Sequence, residues 1–360
     1  MRPRSPESLA SRTRRRAAHQ VAPGVRRRFS GDVQHAGLAG WQHADAARGH
    51  WSGLDGRGHS RSGRRDTGGV AARLAARREG RGLSRWAGVD DQDRLVTSAY
   101  DAIPDFGVLY DSVPLYAARQ DVDFYLAEAK RTRGAVLEVG CGTGRILLPI
   151  ARAGGAITGL DGSPAMLDRC RTKLAAESAA VQGRVRLTQA DMREFNLGAV
   201  FPLIIAPFRV VQHLLTVDDQ LKFLTRVANH LAPGGRLIFD VFNPRFDMLV
   251  GHDGVEREDT PEQRLADGRA LRRTYRIARV RWVDQVSEAE LIYYLDGERY
   301  VQAFEMRWYL ATELRHLLAR AGFRVREMYG DFARGAVVDG CPELVVVAEN
   351  AGSTAGSPSA

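Results

Sequence analysis

Three glycines at alternate positions, directly after a short apolar run, constrain this chain more than any other feature. The stretch is Leu137-Glu138-Val139-Gly140-Cys141-Gly142-Thr143-Gly144-Arg145. An apolar run of that length, closed by glycine, predicts a buried strand over 135–139. Glycines after a strand permit tight turning and close approach of a ligand, toward which helix-start N–H groups would face. The dinucleotide fingerprint Gly-x-Gly-x-x-Gly would need glycine at 145, where Arg145 stands. No Walker lysine follows the loop, which argues against ATP chemistry.

Around this loop the pattern alternates. Helices are expected over 121–130, 145–153, 164–180 and 218–231, and strands over 156–160, 185–189, 203–206 and 236–241. Ser163 supplies an N-cap and Pro164 a first-turn proline for the third helix. Such a rhythm predicts an α/β fold whose mostly parallel sheet is covered on both faces. After Asn243 the texture changes to three long, partly alternating strands, 272–280, 282–294 and 299–309. Leu295-Asp296-Gly297 is a hairpin signal between the last two. A small added antiparallel sheet follows from this. A helix over 311–321, stopped by Gly322, and strands over 324–328 and 343–348 complete the chain.

The average charge of +9 hides two unlike parts. Residues 1–90 hold 19 Arg, no Lys and 7 acids, while the other 270 residues carry a net charge of −3. The first part also has only 11 Leu, Val and Phe residues and no Ile. A segment so poor in large aliphatics cannot offset its ordering entropy and is expected to be disordered. Three readings stay open for it. It is a nucleic-acid-binding tail using Arg14-Arg15-Arg16 and Arg26-Arg27-Arg28, a targeting peptide, or translated upstream sequence from a start assigned too early. A later start would need a non-AUG codon, with Val89 and Val96 as the obvious places, since no Met lies between Met1 and Met166. Elsewhere, three scattered cysteines exclude a disulfide framework and offer no CxxC metal pair, which suits a cytoplasmic protein without a metal site. No apolar run reaches the ~20 residues of a membrane span.

Two acids stand where strands end. Asp161, in Gly159-Leu160-Asp161-Gly162-Ser163, can accept from the two hydroxyls of a ribose. Asp191, in Ala190-Asp191-Met192, can accept from an adenine amine while Met192 packs on the ring. Ala232-Pro233-Gly234-Gly235 leads into the fifth strand. Together, and in this order on one sheet, they point to an adenosyl ligand.

These residues resemble the class I S-adenosylmethionine (SAM)-dependent methyltransferase family over roughly 100–349. The resemblance implies a Rossmann-like sheet and SAM as methyl donor. It places Gly140, Cys141, Gly142 and Gly144 around the methionine and ribose portions, with Gly162, Met166 and Ala206 lining the same site. Glu138 would help hold the cofactor's amino end, Asp161 the ribose, and Asp191 with Met192 the adenine. An Arg in the N-terminal lid pairs with the cofactor carboxylate in some members, and Arg119 is the candidate here, with an exposed helix arginine as the other reading. The strands after 248 look like the acceptor roof of small-molecule N- and O-methyltransferases. The implied organisation is an extension over 1–93, a lid over 94–134, a SAM-binding core over 135–247, a roof over 248–309, a return helix with closing strands over 310–350, and a tail.

The acceptor side carries less information. Ile205-Ala206-Pro207-Phe208-Arg209-Val210-Val211-Gln212-His213 is not the Asn/Asp-Pro-Pro-Tyr/Phe pattern used on planar nitrogens. His213 is expected to act as a base or to orient an amine, or to be a satisfied structural histidine. Arg209 would hold an acceptor carboxylate or phosphate, or form a surface salt bridge. Tyr293, Tyr294, Trp308 and Tyr309 would wall the pocket or join the core. The expected reaction is methyl transfer to a nitrogen or oxygen of a small molecule. Two alternatives stay open, a nucleic-acid methyltransferase relying on the basic tail and a non-catalytic SAM-binding regulatory module. The domain's net −3 argues against nucleic acid as a partner.

Overall fold

The computed structural model describes residues 103–352. The Arg-rich extension, with every reading of it, and the last eight residues lie outside that range.

Three short helices open the described chain: α1 (Phe106–Asp111), α2 (Pro114–Ala117) and α3 (Asp121–Arg131). Then β1 (Val136–Val139), α4 (Leu147–Arg152), β2 (Ile157–Asp161), α5 (Pro164–Ala175), α6 (Ala179–Gln182) and β3 (Val185–Gln189) alternate. β4 (Phe201–Ala206), a 3-10 turn (Val210–His213), α7 (Val217–His230) and β5 (Leu231–Phe242) follow. After α8 (Phe246–Val250) come β6 (Arg257–Arg264), β7 (Ala270–Arg281), β8 (Val286–Leu295) and β9 (Glu298–Arg307). The chain closes with α9 (Ala311–Arg320), β10 (Phe323–Tyr329) and β11 (Glu343–Asn350).

The large sheet has seven strands in the order β10-β11-β5-β4-β1-β2-β3. Its β3, β2, β1, β4 and β5 run parallel, and β11 is antiparallel to both β5 and β10. Side chains of α7 and α9, such as Phe223, Val227 and Leu314, pack on one face. Those of α3, α4 and α5, such as Tyr125, Leu147 and Leu167, pack on the other. Burial on both faces explains why β1 and β11 read as continuous apolar runs. α7 starts where Thr216 accepts from the Asp219 N–H at 3.1 Å and has Asp218 and Asp219 in its first turn, as an N-terminus favours.

The second sheet, β6-β7-β8-β9, is antiparallel throughout. Its apolar face, including Leu271, Ala289, Leu291 and Tyr293, clusters with Phe106 and Leu109 of α1, Leu249 of α8 and Met166 of α5. The helix expected over 164–180 ends at Ala175, and Ser178 precedes the separate short α6. The antiparallel sheet has four strands rather than three. β6 escapes the sequence pattern because Arg-Glu-Asp-Thr-Pro-Glu-Gln-Arg is polar and contains Pro261. It pairs on one side only, with two register shifts, which is where a strand tolerates proline.

Candidate cofactor and acceptor site

The parallel strands of the large sheet end at one edge, and the glycine loop leaves β1 there. Gly140, Gly142 and Gly144 all have positive φ, at 73°, 52° and 84°. A Cβ at Gly140 would stand 2.3 Å from Val210 Cγ2, and one at Gly144 would stand 2.8 Å from Cys170 Sγ. Only glycine fits either position. The loop closes on β2. The Gly140 and Cys141 N–H groups donate to the Leu160 carbonyl at 2.7 and 3.0 Å. The Gly142 N–H donates to Asp161 Oδ2 at 2.7 Å, and Ser163 N–H to Asp161 Oδ1 at 2.9 Å. These N–H groups are spent on β2, so a carboxylate, Asp161, forms the polar face of the loop. Ser163 also caps α5 through the Met166 N–H.

Glu138 is 2 % exposed and one of its carboxylate oxygens, Oε2, has no hydrogen-bond partner. Burial pushes its carboxyl well above the usual range; Arg145 opposes this, while Asp161 and Asp121 add to it. A buried unpaired carboxylate is costly. The ammonium end of SAM is the kind of group that would satisfy it. Met166 reaches toward the loop, its Cε 3.3 Å from where a Cβ on Gly142 would be, and Gly162 faces open space apart from the Ala190 carbonyl at 3.9 Å. The Cys141 side chain turns into the core, its Sγ 2.8 Å from a Cβ built on Gly159, so only its backbone faces the loop's outer side. Ala206 is buried at the end of β4. Asp191 is held by Arg193, which donates from Nη2 at 2.6 Å and from its backbone N–H at 2.7 Å. These contacts keep the Asp191 carboxyl below the usual range against the effect of its partial burial. Met192 is half-buried against the main core.

Arg119 is no exposed helix arginine. Its side chain is 6 % exposed and donates to Asp121 (2.9 Å), Asp240 (2.6 Å) and Glu343 (2.9 Å). Burial disfavours its charge, yet the Glu343, Asp240 and Asp121 carboxylates outweigh that and raise its pKa. Arg145 grips Asp121 through two bonds of 2.6 Å, and Arg209 donates to Glu343 at 2.8 Å. Asp240 also accepts from Tyr125 Oη at 2.7 Å and the Phe208 N–H at 2.8 Å. Burial raises the Asp240 carboxyl, and Arg119 partly counters it. Sequence reasoning missed Asp121, Asp240 and Glu343. Asp240 and Glu343 have one local signal, an acid in an apolar strand, as in Phe239-Asp240-Val241, whereas Asp121 reads only as a helix-start acid.

Helices α1 and α2 touch both sides of this candidate site. Thr143 of the glycine loop donates to Asp111 of α1 at 2.6 Å, and Arg169 and Lys173 of α5 bind the same carboxylate. On the roof side, Gln263 donates to the Ser112 carbonyl at 2.7 Å and the buried Arg273 to Tyr116 Oη at 2.6 Å. Tyr110, Tyr116 and Phe208 form an aromatic cluster with centroids 4.5 to 6.2 Å apart. Phe208 stands at the end of β4, and the guanidinium groups of Arg119 and Arg145 lie over its ring.

His213 closes the 3-10 turn, part-buried, with the Glu305 backbone of β9 near its ring. Burial pushes its pKa down to about 4, which the Glu305 contact only partly offsets. The ring is therefore neutral at physiological pH. Arg209 is a buried residue rather than a surface one. Tyr293 and Tyr309 are fully buried, and Tyr309 joins the main core by donating to the Leu214 carbonyl. Tyr294 donates to Glu256 at 2.6 Å.

The chain is similar to known proteins. A family model described as a methyltransferase domain matches residues 136–235. The cypemycin N-terminal methyltransferase of a Streptomyces species is 25 % identical over 224 residues, covering 59 % of this chain and 82 % of that protein. The dTDP-4-amino-2,3,4,6-tetradeoxy-D-glucose N,N-dimethyltransferase of Saccharopolyspora spinosa is 26 % identical over 236 residues, covering 60 % and 89 %. Among solved structures, the CcbJ methyltransferase of Streptomyces caelestis superposes with a TM-score of 0.57 at 25 % identity, covering 71 % of this chain and 98 % of that one.

Proposed function

We propose a reaction from one premise: this chain belongs to the class I S-adenosylmethionine-dependent methyltransferases, and SAM is its methyl donor. Its acceptors are small molecules. The finer proposal is that the accepting atom is an amine nitrogen. The observation that carries it is the meeting of three electron-rich rings, Tyr110, Tyr116 and Phe208, with the buried Asp240 carboxylate at the end of the sheet. Ring faces and carboxylates attract cationic groups, as the guanidinium groups of Arg119 and Arg145 over Phe208 illustrate, and an amine in water is mostly such a group. The relatives named as amino-sugar N,N-dimethyltransferases and as the cypemycin N-terminal methyltransferase support the same reading.

Each residue then has a task. SAM supplies an electrophilic methyl group. Glu138 would hold its amino end and Asp161 its ribose hydroxyls, while Gly140–Gly144 let the chain pass close by. Asp191, with Arg193 behind it, would set the adenine side. Arg119 is proposed to keep Asp121, Asp240 and Glu343 in place. The aromatic cluster and the roof exclude water, and so keep the accepting lone pair unsolvated. His213 is proposed to orient the acceptor by a hydrogen bond. Burial leaves its ring too weak a base to carry a proton at pH 7. A hydroxyl acceptor would need a strong base, whereas an amine, once its ammonium form has given a proton to solvent, attacks the methyl through its own lone pair as the sulfonium leaves as a neutral thioether.

The test pairs each amine with its hydroxyl counterpart. The full chain, SAM and a panel of primary amines, including amino sugars, are incubated beside analogues in which oxygen replaces that nitrogen. Mass spectrometry should show methyl gain on amines only. Methylation of the hydroxyl analogues with none on the amines would overturn the assignment.

A further inference from the structure

We infer that Arg209 and Glu343 form a recognition dyad for a hydroxyl group next to the accepting nitrogen, so that the acceptor is an amino alcohol. This rests on the amine reading above. Arg209 is 1 % exposed, and after its bond to Glu343 Oε1 its Nε and Nη1 have no partner. Glu343 Oε2 has none either. Two unfilled donors and one unfilled acceptor thus sit on one buried ion pair. Buried polar groups are seldom left unmet, and each exception calls for an explanation.

The backbone points the same way. Phe208 and Arg209 are consecutive non-glycine residues in the left-handed region, with φ of 60° and 67°. Strain of this kind persists where surrounding structure enforces it, and it gathers at ligand sites. Here the enforcing contacts are the Phe208 N–H to Asp240 and Arg209 to Glu343. The turn they hold carries Phe208 at one end and, through the 3-10 turn, His213 at the other. Glu343 faces it from the start of β11, paired in register with Phe242 of β5.

The chemistry of the dyad selects its ligand. Glu343 already neutralises Arg209, and Asp240 stands beside the same turn. A carboxylate or phosphate would therefore meet carboxylates as well as the guanidinium. A bare ammonium would serve Glu343 and leave the Arg209 donors unmet. A hydroxyl does both, accepting from Arg209 and donating to Glu343 Oε2.

The experiment needs two probes that differ by one hydroxyl, trans-2-aminocyclohexanol and cyclohexylamine. Each is titrated by calorimetry into the full chain saturated with S-adenosylhomocysteine. The dyad predicts about tenfold tighter binding of the amino alcohol, and a ratio near one in Glu343→Gln and in Arg209→Gln. Equal binding of the two probes by the unaltered protein overturns the dyad and leaves the amine reading standing. A preference that persists in both variants overturns it as well. If neither probe binds, the amine reading and the dyad fall together. The comparison on the unaltered protein stands even if a variant fails to fold.

Discussion

The two sheets handle charge in opposite ways. At the end of the seven-stranded sheet, Arg119, Asp121, Asp240, Arg209 and Glu343 are buried and bonded to one another across stretches of more than a hundred residues. On the four-stranded sheet, charges mostly stand on the exposed face as cross-strand pairs. Arg276 faces Glu290 in register at 2.7 Å, and Arg281 bridges Glu288 and Glu305. The exception is Arg273, fully buried with Asp259, where this sheet meets Tyr116 of the lid. Exposed pairs of this kind contribute to register and solubility and little to stability. Buried ones cost desolvation, which their mutual attraction and hydrogen bonds have to offset. The seven-stranded sheet therefore keeps its costly charges at the end where the cofactor and acceptor are proposed to meet.

Removing one charge from each region sharpens that contrast. Arg119→Ala leaves three carboxylates without their common partner and should destabilise the fold by about 3–5 kcal/mol. Arg276→Ala should cost less than about 1 kcal/mol. Urea denaturation measures both, and equal losses would break the comparison. Glycines give a second contrast. Gly140→Ala meets Val210 at 2.3 Å from a left-handed backbone, and should cost about 2–4 kcal/mol and SAM binding with it. Gly268→Ala, in the β6–β7 turn at φ 90° with nothing within 4 Å, should cost only the backbone term of about 1–2 kcal/mol. Matching losses in thermal unfolding would mean that the loop has room the structure denies it.

A smaller effect is tied to pH. The folded pKa of His213, about 4, lies below the usual 6.5. Between those values the unfolded chain binds the proton that the native ring refuses. Stability from the neutral ring is thus intact above pH 6.5 and falls as pH drops toward 4. From pH 6.5 to 5 this amounts to at most about 2 kcal/mol, less to the extent that water reaches the part-buried ring. His213→Asn should flatten the acid limb of the stability curve by that amount. An unchanged limb would show that the ring titrates normally.

The contrast also marks what the sequence makes legible. Strand–helix alternation, the Ser163-Pro164 start of α5, the stop at Gly322 and the turn at Asp296-Gly297 are local signals, and each appears in the structure. The glycine loop and Asp161 are legible for the same reason, since β1 and β2 are near in sequence and their ends meet. Asp121, Asp240 and Glu343 belong to three distant segments, and no local pattern brings them to one guanidinium. Arg209 shows the limit most plainly. Its neighbours in sequence suggest an acceptor-facing loop, while its burial and its bond to Glu343 depend on β11, 134 residues away. The end of α5 was equally hidden, because Ala175-Ala176-Glu177-Ser178 holds no glycine or proline to stop a helix.

The central claim is that the glycine loop, closed by Asp161, builds a SAM site at the end of the parallel sheet. Calorimetric titration of the full chain with SAM, S-adenosylhomocysteine and NAD tests it most directly, with Asp161→Ala run beside it. The account predicts binding of the first two ligands and none of NAD, and a loss of about 1–3 kcal/mol in Asp161→Ala. Tight NAD binding with none for SAM, or full SAM affinity in Asp161→Ala, would contradict it.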